Sequence, residues 1–150
     1  MKLIAHRGNI YGPSDKGNKP DYIENALAMG FDCEVDVWIE DSVYKLGHDY
    51  PAYTVDTSFL KTEKMWCHAK NIEALDKMLR DDIHCFWHYD DDYTLTSHGY
   101  VWTYPNKPLI KTSVCVLPEV GINGDIMDCY GICTDFVGEY KMELESGIQK

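Results

Sequence analysis

Short apolar runs alternate with amphipathic stretches over the first ninety residues, and this alternation sets the predicted elements. Residues 2–5 form an apolar run that stops at His6-Arg7-Gly8. A loop rich in Gly, Pro and Asn follows, from Gly8 to Lys19. Pro20 then opens a helix in which Asp21 and Glu24 have capping-box spacing, Ile23, Ala26 and Leu27 share a face, and Gly30 is the stop. Residues 31–39 read as a strand with Val35, Val37 and Ile39 on one face and Glu34, Asp36 and Trp38 on the other. Residues 43–49 read as an extended segment ending in a turn, and residues 65–69 as a further strand. Asn71 caps a helix over 72–80, with Ile72, Leu75 and Leu79 on its apolar face, and residues 83–88 make a fourth strand.

Strands separated by helices at this spacing predict a parallel sheet. The second half changes character. Residues 94–97, 100–104, 113–117 and 131–134 read as short strands, with no amphipathic helix between them and a tight turn at His98-Gly99. No repeat, linker or low-complexity tract divides the chain, so residues 1–150 are expected to form one domain.

Charge and cysteine content narrow the function classes. A net charge of −11 opposes binding to nucleic-acid backbones and anionic membranes. A phosphate ligand then requires a local cationic site. No apolar run approaches the ~20 residues of a membrane span. The N-terminal segment lacks the apolar stretch of a secretory signal, which predicts a cytoplasmic location. In that compartment the six cysteines are expected to be reduced core residues. No Cys-x-x-Cys pair is present, which argues against structural zinc.

Glu34 and Asp36 lie two residues apart on a strand, so their side chains share a face at roughly 7 Å separation. Two anions on an interior face require a cation or donors between them, and a hard divalent metal suits them; an exposed polar strand face is the plainer account. His6-Arg7-Gly8 puts a proton carrier beside a cation at a strand end, although a capping His and a surface Arg explain it equally. Gly47-His48-Asp49 supplies a second histidine that can complete a base and acid pair, or be only a turn. His88 lines the site or packs at its rim, Asp90-Asp91-Asp92 reads as a solvated turn, and Trp102 is a pocket wall or core.

In combination these segments carry more than each does alone. Ile4-Ala5-His6-Arg7-Gly8, Glu24-Asn25-Ala26, the run from Gly30 to Val37, and Gly47-His48-Asp49 occur in an order that resembles the signature of the glycerophosphodiester phosphodiesterases. The resemblance covers the first third of the chain. Weaker likenesses continue at Trp66-Cys67-His68-Ala69-Lys70 and at Gly131-Ile132-Cys133-Thr134-Asp135. It implies an α/β fold of TIM type. At 150 residues against the ~250 of a full barrel, this means a reduced barrel with several helices missing in the second half. It implies a site at the C-terminal strand ends, where Glu34 and Asp36 bind Mg²⁺ or Ca²⁺, His6 and His48 serve as base and acid, Arg7 and Lys70 hold phosphate, and Asn25 supports the site. The implied substrate is a glycerophosphodiester or similar small phosphodiester. One position departs from the family pattern: His68 stands where relatives carry a metal-binding Glu. As the third ligand, His68 favours Mn²⁺, Fe²⁺ or Zn²⁺. The alternatives are a non-catalytic phosphoester-binding protein of the same fold, and cleavage to a cyclic phosphate.

Overall fold

The computed structural model describes residues 1–147. In chain order the elements are β1 (Lys2–His6), α1 (Pro20–Ala28), β2 (Asp32–Glu40), β3 (Val43–Leu46), β4 (Tyr53–Val55), α2 (Thr57–Leu60), β5 (Met65–Ala69), α3 (Ile72–Arg80), β6 (Cys85–Trp87), β7 (Tyr93–Leu95), β8 (Val101–Thr103), β9 (Ser113–Val116), β10 (Gly131–Thr134) and α4 (Val137–Ser146). A single 3₁₀ turn, Ile126–Asp128, lies between β9 and β10.

All ten strands belong to one sheet. β6, β5, β2, β1, β10, β9 and β8 run parallel in that spatial order. β3, β4 and β7 join by antiparallel pairing. Val37 is paired with both Ala69 of β5 and Leu46 of β3, so β5 takes one edge of β2. β1 and β3 therefore share the other edge end to end. The β2–β3 hairpin turns through Asp41 and Ser42, both at positive φ, the geometry of a tight two-residue turn that follows the strand twist.

The reduced TIM-type barrel is not what forms. The structure is a mixed sheet curled into a half-barrel, with four α-helices of four to ten residues among the described residues. The mixture of α and β and the parallel strands match expectation; a ring of covering helices does not exist. The physical reason lies in the connections. Residues 104–112 and 117–130 join parallel strands without an α-helix, and β6 reaches β8 through the antiparallel strand β7. The two ends of the sheet, β6 and β7, meet without a ladder. Ser97 N–H donates to the Cys85 carbonyl (2.8 Å), Cys85 N–H to Ser97 Oγ (3.0 Å), and the Thr94 hydroxyl to the Trp87 carbonyl (2.7 Å).

Among the described residues three buried clusters form, two large ones set by strand alternation and a small one of Cys115, Cys129 and Ile132. Cys33, Val35 and Val37 of β2 point outward and pack with Ile23 and Ala26 of α1 and Ala74 and Met78 of α3. On the concave side Ile4, Trp66, Phe86, Trp102, Val114, Val116 and Cys133 fill the interior, and Phe86 and Trp102 meet across it at 4.5 Å between ring centroids. Trp102 is therefore core. All six cysteines are buried and unpaired, as expected.

Two local details differ from the sequence expectation. α1 starts without the Asp21/Glu24 box: Lys19 is the N-cap, no side chain caps it, and Asp21 instead accepts from the neighbouring Tyr22 N–H. Pro20 in the first position needs no acceptor for its nitrogen, which lowers the demand for a cap. Asn71 does cap α3, accepting from Ala74 N–H, but it also exchanges two hydrogen bonds with the Ile39 backbone. That tether sets the helix rotation, so Ala74 and Met78 are buried while Ile72 and Leu79 face solvent.

Candidate functional site

The cleft is built at the C-terminal ends of β1, β2, β5 and β10, with the turn after β3 above it. Strand alternation directs Glu34 and Asp36 to the concave side, where both are buried, which rules out the exposed-face account of the pair. Arg7 follows β1 with φ 55°, an uncommon conformation for a side-chain-bearing residue. It is held there because its N–H donates to the Glu34 carbonyl (3.0 Å) and its carbonyl accepts from Asn18 N–H (3.1 Å). Gly8 continues the bend at φ 83°, and a Cβ there would press on Ile23 of α1. Gly47 brings the chain so close to the Tyr50 carbonyl that any Cβ would collide with it, and the tight turn this permits carries His48 over the cleft.

The two carboxylates have opposite environments. Asp36 accepts from Asn18 Nδ2 (2.9 Å) and lies 3.1 Å from His68 Nδ1, 3.3 Å from Arg7 Nε and 3.5 Å from His48 Nδ1. Burial disfavours its charge, but the His48 and His68 hydrogen bonds and the Arg7 charge outweigh that and hold its pKa below the ordinary value. Among the described residues Glu34 has Arg7 N–H (3.3 Å) and His6 Nε2 (3.8 Å) at its carboxylate. Burial, reinforced by the charge of Asp36, pushes its pKa up.

His6 Nδ1 lies 2.7 Å from Asp135 Oδ1, at the end of β10. Asp135 also accepts from Asn9 Nδ2 (2.8 Å), and its backbone N–H donates to Glu119 Oε1 (3.1 Å). A carboxylate at Nδ1 makes that nitrogen the donor and leaves Nε2 facing Glu34 as the basic atom. Burial lowers the pKa of His6, while the Asp135 bond and the Glu34 charge raise it, with a net rise.

The cleft gathers most of the residues singled out from sequence: His6, Arg7, Glu34, Asp36, His48 and His68 are linked in one network. Lys70 continues the pairing of β5 through its N–H to the Val37 carbonyl (2.8 Å), on the side of His68 by alternation, and its ammonium has no ion pair among the described residues. Asn25 does not join: it is exposed on α1. Asn18 and Asn9 take the supporting place instead, together with Asp135 and Glu119, and sequence reading missed all four. Asn18 and Asn9 sit in a loop whose composition reads as plain turn chemistry. Asp135 had a visible signal, an acidic residue just past an apolar strand. His88 sits at the rim, its carbonyl accepting from His68 Nε2 (2.9 Å). Asp90, Asp91 and Asp92 are exposed, as a solvated turn should be.

The donor set fits a divalent ion. Glu34, Asp36 and His68 each bring one ligand atom within 4.8 Å of the others. His68 donates Nε2–H to the His88 carbonyl, the arrangement that orients a metal-binding imidazole; its Nδ1 donates to the Asp36 oxygen when protonated, the state its raised pKa favours, and faces that oxygen as a second acceptor when not. Two acceptors 3.1 Å apart require a cation or a proton between them. Among the described residues two buried polar atoms beside the cluster make no hydrogen bond: His88 Nδ1, and Arg7 Nε, which is ion-paired with Asp36 at 3.3 Å. Among the described residues no helix is long and apolar enough to cross a membrane. Comparison with protein-family models, with curated proteins and with solved structures finds no match.

Proposed function

We propose that this protein is a cytoplasmic, divalent-metal-dependent phosphodiesterase that cleaves a glycerophosphodiester or similar small phosphodiester. One observation carries the reading: His6 and His48 approach the two members of a single buried carboxylate pair, with Arg7 between them. A phosphodiester needs a base, an acid and cationic groups at one point, and the cleft supplies all three. The six unpaired cysteines support a reducing compartment.

Glu34, Asp36 and His68 would hold the ion, which when bound supplies Lewis-acid neutralisation of the phosphoryl oxygens. The Arg7 guanidinium and the Lys70 ammonium would bind those oxygens. His6, oriented by Asp135, takes a proton at Nε2 from water or from a neighbouring substrate hydroxyl. His48, whose side chain is 44% exposed, stands at the mouth and protonates the departing alkoxide, which leaves toward solvent.

The test is hydrolysis of bis(p-nitrophenyl) phosphate with EDTA and with Mg²⁺, Ca²⁺, Mn²⁺ and Zn²⁺ in turn. Metal-dependent turnover is expected, reduced on the order of 100-fold or more in His6→Ala and in His48→Ala. Turnover unchanged in both variants would refute the acid–base assignment. A second reading, phosphoester binding without turnover, is favoured by one contact: an Arg7 terminal nitrogen is bonded to the His48 ring at 2.8 Å, so anion clamp and acid occupy each other. Calorimetric binding of inorganic phosphate without hydrolysis of any diester would establish that reading instead.

A further inference from the structure

A cavity of about 780 Å³ opens at the N-terminal ends of β1 and β2, the end of the sheet opposite the cleft. Leu3, Met29, Phe31, Met127 and Tyr130 make the apolar part of its wall. The charged side chains in the wall are Lys2, Lys64 and Lys141, with a single carboxylate, Asp32. Met1 lines it as well and adds no negative charge. The whole chain has 14 Lys and Arg against 25 Asp and Glu, so three lysines to one carboxylate run against the field of the molecule. Asp32 is buried and its charge is already shared. Trp66 Nε1–H donates to it (2.9 Å), and the Lys2 ammonium lies 3.6 Å away. Burial pushes the Asp32 carboxyl up, and the Trp66 hydrogen bond and the charges of Lys2 and Lys64 offset part of that rise. Lys141 lies over the Phe31 ring, 5.5 Å from its centroid. Among the described residues neither Lys64 nor Lys141 forms an ion pair. With Lys2 set against Asp32, two lysine charges are left without an anion.

The volume lies within the ~300–1,000 Å³ range of small-molecule pockets. Two unmatched ammonium groups beside an apolar wall select a ligand with a carbon body and two negative charges. A phosphate monoester meets this on one compact group, since it carries close to two charges at neutral pH. We propose that this cavity is a second binding site, taking a small organic dianion of the phosphate-monoester class, its carbon body among Leu3, Met29, Met127 and Tyr130 and its phosphate at Lys64 and Lys141. The site shares no residue with the cleft.

Three probes with one ring and different charge separate the contributions: phenyl phosphate, benzoate and benzyl alcohol, titrated calorimetrically at pH 7.5 into the full chain in EDTA. Phenyl phosphate should bind about tenfold or more tighter than benzyl alcohol, with benzoate between them. Lys64→Gln should weaken phenyl phosphate about fivefold, the upper worth of a partly exposed ion pair, and Lys64→Gln with Lys141→Gln on the order of 20-fold. Benzyl alcohol should be indifferent to both changes. Lys70→Gln, in the cleft at the other end of the sheet, should leave the phenyl phosphate affinity of this site unchanged. Should the double variant fail to fold by circular dichroism, Lys64→Gln alone decides, because that side chain is exposed. No binding of phenyl phosphate, equal binding of phosphate and alcohol, or phosphate binding that responds to Lys70→Gln and not to Lys64→Gln would each overturn the proposal.

Discussion

His68 is the residue that distinguishes this cleft. It lies between Asp36 and the His88 carbonyl and stacks on Phe86, with ring centroids 5.3 Å apart. Glu34 and Asp36, two residues apart on one strand face, have pKa values pushed in opposite directions, up by burial in one and down by hydrogen bonding in the other. Such divergence is what an acid–base site or an ion site produces. Replacing His68 by glutamate puts a third carboxylate into the pair and a harder ligand on any ion. The His68→Glu variant is expected to melt lower than wild type in EDTA, and to regain its melting temperature with Mg²⁺ or Ca²⁺ more than with Zn²⁺. Thermal melts across a metal panel decide this; a metal order identical to that of wild type would show that His68 is no ligand.

At the scale of elements, the seam between β6 and the β7–β8 hairpin is the weakest join in the sheet, because it has single hydrogen bonds in place of a ladder. His84 sits in this seam. Its Nε2 is bonded to Thr96 Oγ1 at 2.8 Å, its ring is stacked on His98 at 4.1 Å, and Trp66 lies against it. Burial, then the neighbouring His98, lowers its pKa to about 4. The unfolded chain binds this proton at an ordinary histidine pKa, so below about pH 6.5 it holds more protons than the fold does. The neutral ring's contribution is complete above that pH and is lost as pH falls toward 4. By linkage the loss is at most about 3 kcal/mol. Urea unfolding at steps from pH 7 to 4 should show this slope in wild type and a flatter one in His84→Gln. Equal slopes would place the acid sensitivity in the carboxylates.

At the scale of the molecule, the interior is what holds the half-barrel closed. Phe86 touches both halves of the structure, stacking on His68 from one side and meeting Trp102 of β8 on the other. Phe86→Ala is expected to cost about 3–5 kcal/mol through lost burial and the cavity left behind. It also removes the ring on which His68 stacks, so the metal affinity proposed for Glu34, Asp36 and His68 should fall with stability. Denaturant melts and a metal titration on the same variant test both; a stable variant with intact metal affinity would show that the seam, not the interior, maintains the curl.

What the sequence by itself determined is local. Residues 65–69 and 72–80 were legible to the residue, because period-2 and period-3.6 patterns and an Asn cap depend only on neighbours along the chain. The short strands of the second half and the interior face of Glu34 and Asp36 were legible for the same reason. A site of His6, Arg7, Glu34, Asp36, His48, His68, Lys70 and Asn25 was an expectation from their order; parallel pairing of β1, β2 and β5 brings the first six together, and Asn25 stays outside. Tertiary structure alone decided the rest. The mixed, curled sheet depends on which edge of β2 receives β3, and on a seam no local pattern encodes. α4 was missed because its burial rests on Val137 and Gly138 at its start and not on a periodic apolar stripe. Asn18, Asn9 and Glu119 carry no motif; each matters only because a buried carboxylate or its backbone arrives beside it from far along the chain.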